Sequence, residues 1–351
     1  MTRDFGPGAG MAEDIAEQPG VYARLLDRQA GTIAGVAAEI ARRRPRFVIY
    51  TARGTSDHAA LYAAYLTEIR LGIPAGLASP SVVTVYGARP DVRDALVVGV
   101  SQSGGSPDLV EVLRVAREQG ACTLAVCNNP DSPLGEVAEL VVDVGAGHER
   151  AVAATKTYTA ELLALLMLLE GVRAGEGRLP ADERASLNLL PELAQTLIRD
   201  TTATELAPRY RFAGRLITIG RGYAYPTARE TALKLMETSY LAALAFSGAD
   251  LLHGPLAMAD PDVPVLAMVG SGPGGDSMRE VLARLGERRA DVVSVGPVPA
   301  AATHIPTPAV AERLAPLLDI IPMQQLALAL ARSRGEDPDA PRGLRKITET
   351  R

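Results

Sequence analysis

Cysteine occurs only twice, at Cys122 and Cys127, both inside the apolar stretch ACTLAVC. That excludes a disulfide framework and a C-x-x-C metal or redox motif, and it reads as two small core residues in a reducing, cytoplasmic compartment. Histidine is also scarce: His58, His148, His253 and His304 are too dispersed for a metal site, and no H-E-x-x-H occurs, so no metal is expected. No basic face is concentrated anywhere. The 36 lysines and arginines are mixed with 41 acidic residues for a net charge of −5, which argues against nucleic acid or a membrane surface as partner and leaves a small molecule. The opening MTRDFGPGAGMAEDIAEQPG has no basic region followed by an apolar one, and no apolar run is read as approaching the roughly 18 residues of a membrane span.

What is present is apolar and periodic. Hydrophobic residues make up 47% of the 351, enough for two domains at roughly 100 to 200 residues each. From Arg46 onward, short β-branched runs (47–52, 94–100, 122–127, 139–144) alternate with helical patterns at 57–71 and 107–120, the pattern of a parallel sheet covered by helices. The order then recurs. RLITIGRGYAYPTARETALKLME (215–237) parallels RFVIYTARGTSDHAALYAAYLTE (46–68), and the segment 263–295 parallels 95–126. The expected plan is a helical lead-in over 1–45 whose first ten residues fray, α/β units over 46–173 and 206–334, a helical connector over 174–205, and a tail over 335–351.

The segment VVGVSQSGGSPDLVEVL (97–113) ends an apolar strand with hydroxyls and glycines and enters a helix at once. In an open parallel sheet, ligands sit beyond the carboxyl ends of the strands, where helix N-termini turn unpaired amides outward. Ser101, Ser103 and Ser106 supply hydroxyls there, while Gly104 and Gly105 admit a close ligand, together forming an anion cradle. The loop has neither the lysine of a P-loop nor the G-x-G-x-x-G spacing, so a small monophosphate fits better than a nucleotide, and no cofactor is expected. The alternative is an ordinary Ser/Gly turn with an N-cap.

Three further groups carry candidate chemistry. ARETALKLMETSY places Glu230, Lys234 and Glu237 on one helix face beside an apolar stripe of Leu233, Met236 and Tyr240, either a solvated surface with an ion pair or a site in which a carboxylate moves protons. His253, in the turn LLHGPLA, is either structural or a proton carrier near neutral pH. GHERAVAATKTYT holds Glu149, Val152, Ala153 and Lys156 at what reads as a helix start.

SQSGGSPD together with RGTSDHA (53–59) resembles the sugar-isomerase (SIS) domain. ERAVAATKTYTAELLAL, RGYAYPTARETALKLMETSY, LLHGPLAMAD and GEDPDAPRGLRKITET extend that resemblance from about Met11 to the C-terminus, toward the isomerase half of glucosamine-6-phosphate synthase and its stand-alone deaminase relatives. The resemblance implies tandem SIS subdomains, each a flavodoxin-like three-layer α/β/α sandwich. It also implies a sugar phosphate held by Gly54, Thr55, Ser56, Ser101, Gln102, Ser103, Gly104 and Ser106, with Glu149, Val152, Ala153 and Glu230 lining the sugar. By the same resemblance Glu237 is the base acting between C1 and C2, supported by Lys234. His253 assists ring opening from a neighbouring subunit of a homodimer, and Lys346 of the tail contacts the open-chain carbonyl, by imine formation or by hydrogen bonding. Leu252 and Asp250 stand where the synthase usually has Lys and Glu. Since Thr2 follows Met1 and the first strand arrives by Phe47, no glutaminase domain is expected. The leading expectation is conversion of glucosamine 6-phosphate to fructose 6-phosphate plus ammonia. A sugar-phosphate dehydratase on an N-acetylhexosamine 6-phosphate, a ketose-amine deglycase and a non-catalytic sugar-phosphate sensor are the alternatives.

Overall fold

The computed structural model describes residues 6–344, and Lys346, with Arg345, lies outside them. The described chain forms two compact units, one of residues 18–149 and 156–191, the other of residues 6–17, 150–155 and 192–344. Each is built on a five-stranded, wholly parallel sheet.

In the first unit β1 (Phe47–Thr51), β2 (Ala75–Leu77), β3 (Ala95–Ser101), β4 (Cys122–Cys127) and β5 (Leu140–Asp143) take the order β2-β1-β3-β4-β5. The central strands β3 and β4 are buried along their whole length, which is why they read as unbroken apolar runs. Val98 pairs with Tyr50 on one side and Leu124 on the other. The second unit repeats the plan with β6 (Arg215–Gly220), β7 (Ala242–Ser247), β8 (Pro264–Met268), β9 (Asp291–Gly296) and β10 (Thr303–Pro306), ordered β10-β9-β8-β6-β7. Renumbered from its own first strand, that is the same topology, so each sheet reverses direction between its first and third strands. In such sheets the crevice at the reversal is where ligands bind.

Three expectations need correction. Edge strands β2, β7 and β10 went unread because they are short or rich in Ala and Gly, so no β-branched run announces them. Of the ten residues expected to fray, those from Gly8 on are held: the amide of Gly8 donates to Asp337 and those of Gly10 and Met11 to Asp339, at 2.7–2.9 Å, tying 8–11 to 337–339. Finally, a stretch of membrane-spanning length does exist. Within the 22 residues Glu312–Ser333, an 18-residue window has a mean hydropathy of 1.5, but 89% of that window is buried in the protein, and the helix packs against the helix Ala224–Ser239. Asp319, Pro322, Gln324 and Gln325 interrupt the run on the page without interrupting the helix.

Candidate active site

At the reversal of the first sheet, β1 runs into Gly54 and β3 into Ser101–Ser106. Gly54 has φ 56° and ψ −129°, a conformation open to glycine and strained for other residues. Ser56 turns inward and donates to the buried carboxylate of Glu161 at 2.8 Å, while Thr55 opens the helix Thr55–Leu66. In the second loop the Ser101 hydroxyl accepts from the Gly104 amide at 3.0 Å and the Ser103 hydroxyl from the Gly105 amide at 3.2 Å. Both hydroxyls act there as acceptors, so their O–H groups remain to donate. Ser106 occupies the N-cap position of the helix Pro107–Glu118, yet its side chain makes no capping bond, so the ordinary capped turn is not what formed. Gln102 is half-buried beside them.

The two glycines differ. Gly104 has φ +65°, and a Cβ there would lie 2.5 Å from the Ser132 Cβ, whereas at Gly105 the nearest atom would be the Ser103 Oγ at 3.7 Å. The first glycine is demanded by the fold, while the second could carry a Cβ in ordinary contact with Ser103. Arg53 and Asp108 bind the two loops into one structure: the guanidinium reaches the buried Asp108 carboxylate at 2.7 Å. This pair escaped sequence reading, although an acidic residue at the first turn of a helix facing an arginine one loop away was its available signal.

Glu149 is buried and accepts from the amides of Lys156 and Thr157, at 3.3 and 2.7 Å, at the start of the helix Lys156–Ala174. A carboxylate on the first amides of a helix is favourable through the helix dipole, so Glu149 fixes the local chain whatever else it does. In the second unit Ala153 is buried and Val152 half-buried.

The helix Ala224–Ser239 carries Glu230, Lys234 and Glu237. The Lys234 Nζ lies 2.5 Å from Glu237 Oε2 and 3.4 Å from Glu230 Oε1, with side-chain exposures of 1% for Lys234, 0% for Glu230 and 23% for Glu237. Burial alone would push the lysine pKa down, but the two carboxylates outweigh it and the net direction is upward, so Lys234 is a permanent ammonium. The apolar stripe expected beside it is not the buried face: Met236 is 40% exposed, while Lys234 and Glu230 go inward with Ala228, Ala232 and Leu235. His253 is exposed in the turn after Gly248–Leu252, its amide donating to the Asp250 carbonyl at 3.1 Å. Among the described residues, no group of three or more His, Cys, Asp and Glu side chains is gathered as metal ligands.

The geometry therefore supplies a hydroxyl-lined loop for an anion in one unit and an ammonium between two carboxylates in the other. Over 355 residues the chain is 36% identical to glutamine–fructose-6-phosphate aminotransferase (isomerizing) of Gloeobacter violaceus, covering 96% of this chain and 58% of that protein. The enzyme of the same name from Thermococcus kodakarensis is 35% identical, covering 99% and 59%. The chain thus spans less than two thirds of the length of these curated relatives. Among solved structures, a proposed phosphosugar isomerase of Silicibacter pomeroyi is 34% identical over 94% of this chain and 99% of its own, with a TM-score of 0.82. The C-terminal domain of glucosamine-fructose-6-phosphate aminotransferase from Francisella tularensis is 27% identical over 95% and 99%, with a TM-score of 0.85. The SIS domain pattern matches residues 42–171 and again residues 210–331, one match on each sheet, and the chain belongs to the SIS domain family, which it carries in two copies.

Proposed function

We propose that the chain is a sugar-phosphate isomerase whose substrate is a hexosamine 6-phosphate, converting glucosamine 6-phosphate to fructose 6-phosphate and ammonia. The observation that carries this reading is the 2.5 Å contact between the buried Lys234 ammonium and Glu237. A lysine taken out of water is costly unless it has a task or a partner, and here it fixes one oxygen of a partly exposed carboxylate. Glu237 Oε1 is then the atom that takes the C2 proton of the opened sugar and returns it to C1. That transfer converts the C1 aldehyde and C2 amine into a C1 alcohol and a C2 imine. Water adds to the imine carbon, the C–N bond breaks, and ammonia leaves. In this reading the O–H groups of Ser101, Ser103 and Ser106 hold the phosphate, and Lys346 contacts the open-chain carbonyl.

The test is incubation with a panel of hexosamine 6-phosphates, their N-acetylated forms and ketose-amine 6-phosphates, with products identified by mass spectrometry. Fructose 6-phosphate with free ammonia is the expected result. Loss of water with nitrogen retained replaces deamination by dehydration, release of an amine from a ketose-amine replaces it by deglycation, and tight binding without turnover makes the chain a sensor.

A further inference from the structure

We propose that Arg53 is the cation of the phosphate site, presented to the ligand by the buried carboxylate of Asp108. Over the two loops that meet at the reversal of the first sheet, 53–56 and 101–106, the side chain at 53 is the only charged one. The donors of the serine loop are hydroxyls and amides, which carry partial charges, whereas a phosphate ester carries about −1.5 to −2 at pH 7. The Arg53 guanidinium is held by one edge: its Nε and one terminal nitrogen each lie 2.7 Å from Asp108 Oδ2. Its other N–H groups have no protein partner among the described residues, and the side chain stays 49% exposed.

Asp108 is what points to an anion. It lies two residues beyond the serine loop, in the first turn of the helix Pro107–Glu118, and its side chain is 1% exposed. Its Oδ1 accepts from the Leu109 amide at 2.9 Å, and its Oδ2 from Arg53. A bare carboxylate in that place would repel a second anion from the loop. Joined to a guanidinium it does the reverse: the negative member of the pair is buried and the positive member is half in water, so the charge that meets solvent there is positive. Ser106, at the N-cap position of the same helix, makes no side-chain capping bond. An arginine fork with unengaged N–H groups, next to uncommitted hydroxyls, is suited to take a phosphate through two parallel hydrogen bonds. Arg53 serves a phosphate only where the serine loop holds one, as proposed above, and it makes that site select a charged ester over a free sugar.

The experiment measures binding of fructose 6-phosphate and of inorganic phosphate to the full chain by calorimetry, at low and high salt. It compares the parent with Arg53→Gln combined with Asp108→Asn, and with Ser101→Ala combined with Ser103→Ala. The first pair of changes puts a neutral hydrogen-bonding pair in place of the two charges, so no buried acid is left to unfold the protein or repel the ligand. It should weaken both ligands about ten-fold or more and flatten the salt dependence of the binding that remains, because screening acts on the charge that was removed. If that variant folds and binds at parental strength with parental salt dependence, Arg53 is a brace alone and the proposal is overturned. Should it fail to fold, the parent decides: the Arg53 Nε resonance, identified by its absence in Arg53→Lys, should move as phosphate is added, and a resonance that stays in place rejects the idea. Loss of affinity after the charge changes but not after the serine changes removes the loop from the phosphate site and leaves Arg53 in it. Loss after the serine changes alone keeps the loop and removes Arg53.

Discussion

Lys234 shows at the scale of one residue where sequence reading inverts. Charge at i, i+4 and i+7 suggests a solvated face, yet Glu230 and Lys234 are buried, Glu237 is only partly exposed and Met236 is the exposed one. Helical spacing places three side chains together and says nothing about which way the set points, because that depends on packing with partners remote in sequence. Replacing Lys234 with Met should take the buried ammonium from beside the buried Glu230 carboxylate, at a cost of about 3–5 kcal/mol, and the double change with Glu230→Gln should recover much of that in urea titrations. Glu237→Gln should abolish exchange of the C2 proton with solvent, read by NMR in deuterated water, while sugar-phosphate affinity stays within about three-fold. Asp319 gives a third expectation. Burial pushes its carboxyl up to about 7, so the folded chain keeps a proton that the unfolded chain releases near its ordinary value. Its contribution to stability is therefore fully present at low pH and is lost as pH rises from about 4 through 7. Asp319→Asn should remove that slope and gain on the order of 4 kcal/mol over wild type at pH 8, at 1.36 per pKa unit. Equal pH dependence in the two proteins contradicts the assignment.

At the scale of elements, the loop after β3 was legible because its composition is local: an apolar strand, hydroxyls, two glycines and a proline-started helix in seventeen residues. Its bracing was not, since Ser132 and Arg53 are supplied by other loops. The two glycines make separable predictions. Gly104→Ala forces a side chain into Ser132 from a left-handed backbone and should destabilise the protein by about 1–3 kcal/mol, lowering its melting temperature. Gly105→Ala makes only an ordinary contact with the Ser103 Oγ at 3.7 Å, so its melting temperature should hold while phosphate affinity falls. Loss of stability without loss of affinity at Gly105 would remove the ligand from that space. Strands β2 and β7 mark the other limit, because an edge strand is defined by pairing with a neighbour and not by its own composition.

For the whole molecule, the repeated order of elements revealed the fold class, since each copy repeats the same strand-turn-helix pattern. The contact of Glu312 with the Gly274 amide was illegible for the complementary reason: the two are 38 residues apart. His253 is exposed, and the proposal that it serves a neighbouring subunit has a direct test. Mixing Glu237→Gln with His253→Ala protein under subunit exchange should restore activity, and no recovery despite proven exchange places the whole site in one chain. The carboxylates of Asp337 and Asp339 also receive the amides of Gly8, Gly10 and Met11, so the two outer segments of the described residues are stitched side by side in one unit. The described residues between these two segments therefore form a loop closed by hydrogen bonds. An opening can therefore be placed elsewhere: linking Gly6 to Leu344 through a short flexible linker and opening the chain between Gly175 and Glu176, where both residues are exposed, should give a circular permutant of the described residues that folds to the same two sheets.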